Sequence, residues 1–429
     1  MPAHRRNGVY AATGAIARNR ADLYRQWVEE AWQRARQRGA SAQDKQPYLA
    51  ALQTLAWHMH TGGDTSATAL QTALRNAGLA ADDHAAADLL HRLREQTGLL
   101  ARLSEAHTDR YLFLFSHMTL REYLVAMRLH NAWQQDARRT WRFLKLRLHL
   151  PAWREPLALL AGLLDAADAQ RLLTWIAHAR SPEERRLRRD LLLAAKLAVE
   201  SGHGQIMRGI LVSRLLRVLR GRRVGDSVRE AAAAALGRIG DAAAVPGLLA
   251  ALRDAEWSVR EVAAAALKQI GTPAVPGLLA ALGDANADVR RAAAWALGQI
   301  GNAAAVPGLL AALGDASWYV REAAAWALGR IGAPAVPGLL HALRDADWRV
   351  RWAAARALGQ IGDATAVPGL LHALDDDAEC LVRQVAAAAL GQIGDAAAVP
   401  ELLHALRDAD WWVRWAAAAA LRNFADARK

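Results

Sequence analysis

The sequence has a single cysteine, Cys380, among its 429 residues. One thiol excludes an internal disulfide and any zinc site built from several cysteines. The sequence also lacks an apolar run of about 20 residues, the length that a membrane-spanning helix requires. Residues 1–6 lack the apolar core of a signal peptide. We therefore expect a soluble, cytoplasmic protein with no membrane segment.

Two signatures of catalysis are absent as well. There is no Gly-x-x-x-x-Gly-Lys-Ser/Thr phosphate loop, whose backbone N–H groups would cradle the phosphates of a nucleotide. There is no His-Glu dipeptide, so recurring His-Glu pairs that could supply an oxygen-rich metal site are missing. From these absences we expect no enzymatic activity, no cofactor and no metal in this chain.

Internal repetition dominates the second half of the sequence. One phrase, Val-Pro-x-Leu-Leu, begins at Val245, Val275, Val306, Val336, Val367 and Val399. Another, Val-Arg followed by an Ala-rich run, begins at Val228, Val259, Val289, Val320, Val350, Val382 and Val413. This period of about 31 residues is typical of solenoids, whose units bury their apolar faces only against their neighbours.

Each unit is predicted to form two helices, called here the A helix and the B helix. The A helix begins at Val245-Pro246, because proline is tolerated in a first turn. The B helix runs from about Trp257 to Ile270 and ends at a glycine that adopts the left-handed C-cap conformation. The unit that begins at Val367 has one extra residue within 375–381, which predicts a bulge between its two helices. The closing glycines are Gly240, Gly271, Gly301, Gly332, Gly362 and Gly394.

The recurring spacing Asp254…Val259-Arg260 resembles that of HEAT repeats, specifically the short HEAT-like class also found in phycobilin lyases. The resemblance covers roughly residues 205–429. It implies a ladder of Asp and Arg side chains between neighbouring repeats. The residues expected in this ladder are Asp254, Arg260, Asp284, Arg290, Asp315, Arg321, Asp345, Arg351, Asp408 and Arg414.

The copies of the B helix differ mainly at four positions, which are those of Trp257, Ser258, Glu261 and Ala265 in the first full repeat. At about 100° per residue these positions share one sector of the helix, opposite the apolar positions that are predicted to form the core. In HEAT arrays the B helices line the concave surface, and solenoids bind partners on such surfaces.

Trp, Tyr and Arg, which dominate the energetics of protein interfaces, recur at these variable positions. We therefore predict a protein-binding or peptide-binding face. The alternative is that the indole rings stack on one another between repeats as structural filler. The predicted binding residues are Trp257, Glu261, Arg291, Trp295, Trp318, Tyr319, Glu322, Trp326, Trp348, Arg349, Trp352, Arg356, Trp411, Trp412 and Trp415.

Charge is unevenly distributed along the chain. Residues 1–225 carry 35 Lys and Arg against 20 Asp and Glu, whereas residues 226–429 carry 19 against 22. The repeats therefore do not form the basic groove that nucleic-acid binding needs, and a nucleic-acid partner is not expected. The basic run at 208–223 is interpreted as a solvated or interdomain face of a degenerate first repeat.

The first half is predicted to be helical over about 9–37, 46–60, 66–77 and 83–97. Residues 99–103 and 111–115 flank a polar turn and alternate as a β-hairpin does. Three helices followed by such a wing form a winged-helix arrangement. From 132 to about 200 the chain is predicted to be helical again, over roughly 132–148, 153–164, 167–180 and 182–200.

The segment that follows the hairpin resembles the end of the winged-helix part of a NACHT module, from the STAND class of signalling NTPases. A matching phrase is formed by Phe115, His117, Thr119, Glu122, Tyr123 and Ala126, with Leu120 in place of the usual aromatic residue. The stretches 20–24 and 98–100 also match, so the resemblance covers about residues 10–165. It implies a regulatory arm whose NTPase core would be encoded upstream, or a chain that has lost that core. From the residues alone, His117 is expected to hydrogen-bond at a helix N-terminus, and Thr119 and Glu122 to form a capping box.

Together these patterns predict an all-α protein with one hairpin near 99–115. Residues 1–131 form a helical arm and winged-helix-like domain, 132–204 a bridging helical region, and 205–429 a solenoid of one degenerate and six clear repeats. The predicted function is ligand sensing by a NACHT-type signalling or defence protein. A passive scaffold or self-assembling array and, with less support, a lyase-type enzyme remain alternatives.

Overall fold

The computed structural model describes residues 19–104, 111–221 and 223–426. The chain forms two compact units that divide between Leu211 and Val212. Both units are built from α-helices, and the one sheet of the described residues has two strands. This confirms the predicted all-α class with its single hairpin. No helix in the described ranges is long and apolar enough to cross a membrane.

The first unit begins with four helices that precede a two-stranded hairpin. Asn19 caps the first helix by accepting a hydrogen bond from the Asp22 N–H at 3.0 Å, and residues 9–18 of that predicted helix lie outside the described ranges. The elements are α1 (Arg20–Gln37), α2 (Lys45–His60), α3 (Ala67–Asn76), α4 (Asp83–Arg92), β1 (Leu100–Ser104) and β2 (Tyr111–Phe115).

The hairpin pairs antiparallel, with Leu100 opposite Phe115 and Ser104 opposite Tyr111. A feature that the sequence analysis missed lies just before α3, where Ser66 forms an antiparallel bridge with Leu112. The order is therefore helix, short strand, two helices and two strands. A single-residue bridge has no alternating pattern that could identify it in the sequence.

The capping box expected at the start of the next helix, α5 (Met118–Gln135), is wrong. The helix begins one residue before Thr119, so His117 is the N-cap residue and Thr119 lies inside the first turn. The imidazole of His117 stacks on the indole of Trp27, with ring centroids 5.2 Å apart. Burial and the nearby Glu155 carboxylate raise the pKa of Glu122. His117 and Tyr123 of the phrase at 115–126 thus pack against α1, through Trp27 and Tyr24.

The rest of the first unit is helical, as predicted, but two of the expected helices are interrupted. The one expected over 132–148 is broken at Asp136, which ends α5 and caps the next helix, and the one expected over 182–200 is broken as well. Arg188 adopts a left-handed backbone conformation (φ 52°) that ends one helix and starts the next. Asp190 is fully buried there; it contacts His149 at 2.7 Å and accepts the Ser181 N–H. The helices are α6 (Ala137–Lys145), α7 (Arg154–Leu163), α8 (Ala166–Ala177), α9 (Glu184–Leu187), α10 (Arg189–Glu200) and α11 (Gly204–Leu219).

The second unit is the predicted solenoid. Repeat 1 pairs the end of α11, in the place of an A helix, with B helix α12 (Asp226–Ile239). The A helices of repeats 2–7 are α13 (Val245–Ala251), α15 (Val275–Ala281), α17 (Val306–Ala312), α19 (Val336–Ala342), α21 (Val367–Asp376) and α23 (Val399–Ala405). Their B helices are α14 (Trp257–Ile270), α16 (Ala287–Ile300), α18 (Trp318–Ile331), α20 (Trp348–Ile361), α22 (Cys380–Ile393) and α24 (Trp411–Asp426).

The core of the solenoid lies between the A and B layers. In repeat 2 the Leu248 side chain of the A helix is fully buried, and so are Val259, Ala263 and Leu267 of the B helix. The sector assigned to the core from the helical period is therefore confirmed. The many small alanines permit close helix packing, because dense interiors need side chains that interdigitate without voids.

The bulge predicted from the extra residue at 375–381 is wrong. Instead, α21 continues to Asp376, ten residues in all, whereas the other A helices of repeats 2–7 have seven. The insertion is absorbed as additional helix, which keeps its backbone hydrogen bonds satisfied. As a result Asp377 takes the place that Asp254 holds in repeat 2, where its carboxylate accepts the N–H two residues further on.

Consecutive repeats meet at two kinds of junction. At four of them a five-residue loop begins with Gly and Asp or Asn, and the Asp or Asn side chain accepts the N–H two residues later, as Asn302 does from Ala304 at 2.9 Å. At junctions 2/3 and 4/5 the loop is one residue shorter and contains proline. Gly271 and Gly332 then have ψ near −140° rather than the expected left-handed C-cap conformation.

The loop type coincides with how tightly the repeats pack. Neighbouring B helices pack extensively at the four five-residue loops and less so at junctions 2/3 and 4/5. A Cβ built on Gly298 would lie 2.6 Å from the Ala327 Cα, so the backbones of α16 and α18 nearly touch. Only glycine permits such an approach. We call the four junctions tight and the two short-loop junctions loose.

Candidate functional site

The variable positions of the B helices form a continuous surface, called here the B face. It is defined by the first, second, fifth and ninth residues of each B helix, from Trp257, Ser258, Glu261 and Ala265 in repeat 2 to the matching residues of α24. B helices of successive repeats pack against one another, so the variable positions of neighbouring repeats lie side by side.

Aromatic side chains of the B face are accessible, not buried in the core. Trp257 is 66% exposed and Trp415 is 53% exposed. Trp295, Trp326 and Trp352 are half-buried. A concentration of exposed large apolar side chains on one surface marks interaction sites in soluble proteins. The exposed aromatic residues of the solenoid are Trp257, Trp318, Tyr319, Trp411, Trp412 and Trp415.

Some of the indoles also contact one another across repeats, as the filler alternative expected. The rings of Trp295 and Trp326 are parallel within 8° with centroids 6.5 Å apart. Trp318 and Trp352 are 4.9 Å apart across loose junction 4/5. In repeat 7 the Trp411 and Trp412 centroids lie 4.0 Å apart within one helix. Ring contacts thus involve half-buried and exposed indoles alike, and Trp318, Trp411 and Trp412 keep about half of their surface exposed despite them.

Charged side chains of both signs lie among the rings. Arg356 forms an ion pair with Glu322 at 3.1 Å and lies over the Trp352 ring at 5.4 Å. Arg349 lies over the Trp348 ring at 5.0 Å. Such cation–π contacts hold a guanidinium against an aromatic surface while its N–H groups remain able to bond. The B face can therefore offer apolar, cationic and anionic contacts to one partner.

Loose junction 2/3 contains an open cleft of about 260 Å³ between α14 and α16. Its walls are Trp257 and Trp295, and the small Ala264 and Ala292 lie between them. Arg260, Glu261, Asp288 and Arg291 complete the lining. Four of the sequence-predicted binding residues, Trp257, Glu261, Arg291 and Trp295, are thus brought together around one concavity.

The expected Asp–Arg ladder between neighbouring repeats exists at four of the six junctions. Each ladder arginine pairs with the aspartate of the following repeat, as Arg290 does with Asp315 at 2.6 and 2.8 Å. Its Nη1 also donates to the carbonyl oxygen of Asp284 in its own repeat, at 2.8 Å. The pairs formed are Arg229–Asp254, Arg290–Asp315, Arg351–Asp377 and Arg383–Asp408.

Several expected ladder residues do not form such a pair. Arg260 and Arg321 donate to main-chain carbonyls of their own repeats, and neither forms a forked pair with the turn aspartate of the next repeat. Arg260 instead forms a 3.7 Å ion pair with Asp288 of the next B helix. Asp284 binds Arg253 instead. In the part of the chain that the model describes, no ion pair joins Asp345 to Arg321. The missing ladder pairs lie at the two loose junctions.

Sequence reasoning omitted three residues of the ladder, which are Arg229, Asp377 and Arg383. Arg229 and Arg383 follow the recurring valines Val228 and Val382, so the Val-Arg phrase alone could have identified them. Asp377 was missed because the unit that begins at Val367 has one extra residue, which lengthens the spacing between the preceding glycine and the ladder aspartate. The described residues contain no cluster of three or more His, Cys, Asp or Glu side chains placed to hold a metal ion.

Comparison with known structures returns HEAT-type proteins. One is the complex of CpcE and CpcF of phycocyanin lyase from Nostoc, with 31% identity over 35% of this chain and 99% of that chain, at a TM-score of 0.30. Human deoxyhypusine hydroxylase is 22% identical over 64% of this chain and 96% of that one, at a TM-score of 0.26. Importin beta is 18% identical over 72% of this chain and 49% of its own, at a TM-score of 0.40. No curated protein sequence matches the chain.

The family comparison covers the entire repeat region. The model of HEAT repeats matches residues 214–282, 275–340, 307–389 and 367–429. These segments overlap and run without a gap from 214 to 429, which is half of the chain. They contain the A and B helices and the ladder described above. The chain belongs to the HEAT-repeat family.

Proposed function

We propose that the B face binds a protein partner and that the chain acts as a recognition arm rather than as an enzyme. The observation that carries the proposal is the set of exposed indoles at the variable positions of otherwise near-identical helices. Substitution there changes the surface and leaves the buried positions intact. Trp, Tyr and Arg are the residue types that contribute most to protein interfaces.

The charge of the B face favours a protein over a nucleic acid. Glu230, Glu261 and Glu322 lie on the same surface as Arg349 and Arg356. A nucleic-acid groove needs an excess of basic side chains that follow the phosphates, and here the two signs are mixed. Mixed charge beside aromatic rings is complementary to a polypeptide segment that presents apolar and charged side chains.

The first unit supports a more specific role. The phrase at 115–126 resembles the end of a NACHT winged helix, and the order of helices, bridge and hairpin is that of a winged helix. We propose that this unit transmits binding at the B face to a STAND-type NTPase core in a signalling or defence system. The test is the coding sequence upstream of Met1, together with co-purification of an NTPase domain. If neither a linked nor a co-purifying NTPase exists, this role is wrong.

The binding role is tested by selecting binders from a random displayed peptide library against the full chain. Changing both Trp411 and Trp415 to Ala, or Trp318, Trp348 and Trp352 to Ala, is expected to remove most selected binders. Leu403→Ala is the matched control, because this side chain is equally exposed but lies on an A helix. Circular dichroism should show unchanged helix content in every variant. Binders that survive both groups of Trp changes would place the binding surface elsewhere.

Self-association through the same rings is the second candidate, because exposed indoles can also pair between copies of the chain. Sedimentation velocity at several concentrations separates the two. A sedimentation coefficient that rises with concentration and returns to that of a monomer after the Trp411 and Trp415 changes would favour a self-assembling scaffold. A concentration-independent monomer favours a separate partner.

A further inference from the structure

The two loose junctions have equivalent positions between their B helices. This space is open at junction 2/3 and filled at junction 4/5. At junction 4/5 the cleft is filled by the chain's own side chains, since Trp318 contacts Trp352 and Arg356 is ion-paired with Glu322. The Arg356 guanidinium, which lies over the Trp352 ring, therefore occupies a position between a carboxylate and an indole. This arrangement of a carboxylate and an indole therefore accommodates a guanidinium group.

At junction 2/3 the matching positions carry different residues, and the cleft is open. Glu261 corresponds to Glu322 and Trp257 to Trp318, but Trp295 stands where Arg356 stands. Among the described residues, no basic side chain forms an ion pair with Glu261. The nearby Arg260 donates to the carbonyl oxygens of Asp254 and Ala255 and forms an ion pair with the Asp288 carboxylate at 3.7 Å. The cleft thus has the carboxylate and two indoles, and the position that Arg356 holds at junction 4/5 carries no guanidinium.

We infer that the cleft at junction 2/3 binds an arginine side chain presented by the partner. A guanidinium is planar, so it can stack on an indole face while its N–H groups fork onto a carboxylate. The cleft volume of about 260 Å³ leaves room for such a side chain between Trp257 and Trp295. This inference rests on the proposed function of the B face and names the chemistry of one contact within it.

One residue of the cleft disfavours the binding of a cation. Arg291 takes the position of Trp352 and is exposed at the cleft. Its charge disfavours a second guanidinium nearby, since like charges at close range repel. Replacing it by Ala should therefore tighten arginine binding. A site for a carboxylate would respond in the opposite way, because Arg291 would then be its principal contact.

The test uses the full chain and the probe acetyl-Gly-Arg-Gly amide, observed through the indole N–H resonances of Trp257 and Trp295. These are assigned from Trp→Phe variants. Saturable shifts are expected with the Arg probe and not with acetyl-Gly-Glu-Gly amide. Glu261→Gln should weaken binding by about tenfold or more, the loss expected for a charge-assisted contact. Equal binding by Glu261→Gln, or preference for the Glu probe, would overturn the assignment.

Two further variants test the comparison between the clefts at junctions 2/3 and 4/5. Trp295→Arg supplies the missing guanidinium from within the chain, so it should close the cleft and abolish probe binding. Arg356→Ala empties the cleft at junction 4/5, so the stoichiometry should rise from one probe to two per chain. Unchanged binding in Trp295→Arg would contradict the inference, and so would unchanged stoichiometry in Arg356→Ala.

The outcome also separates this inference from the proposed function. If selected peptide binders depend on the indoles of α18, α20 or α24 but the Arg probe does not bind, the B face is a binding surface and the arginine site is wrong. If the selected binders are insensitive to those indoles as well, both proposals fail.

Discussion

Arg290 joins two neighbouring repeats through a forked pair of hydrogen bonds to Asp315, with Nε and Nη2 at 2.6 and 2.8 Å from the two carboxylate oxygens. The same guanidinium donates to the carbonyl oxygen of Asp284 in its own repeat. One side chain therefore fixes both the inter-helix turn of one repeat and the position of the next. This double attachment is repeated at tight junctions 5/6 and 6/7.

The first prediction concerns this pair. Asp315→Asn should lower the free energy of unfolding of the solenoid by about 1–2 kcal/mol, because a charge-assisted bond is lost from a partly buried site. Asparagine can still accept the Ser317 N–H, so the turn itself is retained. The measurement is a urea titration followed by circular dichroism.

Asp345→Asn is the matched control for that change. Asp345 accepts the Asp347 N–H in the same type of turn, but it belongs to loose junction 4/5, where Arg321 does not reach it. Its substitution should change stability by much less. Equal losses for Asp315→Asn and Asp345→Asn would mean that the inter-repeat pair contributes nothing.

A second prediction concerns how the stability of the solenoid depends on pH. Hydrogen bonds from the Arg290 side chain hold the pKa of Asp315 below its ordinary value of 3.8, and those from Arg383 do the same for the pKa of Asp408. A carboxyl group whose pKa is lower in the folded state contributes stability above its unfolded pKa and loses it as the pH falls through the folded pKa. The solenoid should therefore become less stable below about pH 4.

The double variant Asp315→Asn/Asp408→Asn is expected to be less stable at neutral pH but to lose less stability on acidification. The reason is that two of the groups that must take up protons are gone. Unfolding free energies measured from pH 7 down to the acid transition would check this. A slope as steep as that of the unmodified chain would show that other carboxyl groups control the acid transition.

A third prediction compares two glycines at equivalent positions of their B helices. Gly298→Ala should destabilise the solenoid by about 1–3 kcal/mol, because the new methyl group would meet the Ala327 backbone and force the helices apart. Gly329→Ala, at a loose junction, would meet only the movable Gln360 side chain. It should be neutral or stabilising by up to about 1 kcal/mol, since Ala favours helix over Gly.

Thermal unfolding of these two variants provides the measurement. Similar losses in both would mean that the tight and loose junctions do not differ in backbone approach. The contrast between Gly298 and Gly329 also tests the division of the solenoid at junction 4/5 without changing any charged residue.

The fourth prediction exchanges the loop types. Inserting an Asp between Gly271 and Thr272 recreates the five-residue loop of the tight junctions and should draw α14 and α16 together. Amide exchange in α16 should then slow, and the cleft at junction 2/3 should bind the Arg probe more weakly. The reciprocal change, deletion of Asn302, should break the Arg290–Asp315 pair and speed exchange in α18. Unchanged exchange in both variants would show that loop length does not set the junction type.

Much of this architecture could be predicted from the sequence. The period of the Val-Pro and Val-Arg phrases determined the number of repeats, and the bounds of α14 agree with the prediction of Trp257 to Ile270. The helical period also separated the buried face from the variable face, because a 3.6-residue repeat fixes which side chains share one side of a helix. The hairpin was found from its alternating residues. These are local properties, determined by residues within a few turns of one another.

Only the tertiary structure decided how the repeats are joined. The sequence contains every Asp and Arg of the ladder, but it does not reveal that Arg290 forms a forked pair with Asp315, whereas Arg260 forms no such pair with Asp284. The same holds for the indoles, since Trp318 meets Trp352 whereas Trp257 faces an open cleft. Pairing between repeats depends on the distance between two helix axes. That distance is set by the length of the loops and by close backbone contacts at glycine. Both depend on how two repeats pack together, so the sequence of one repeat does not determine them.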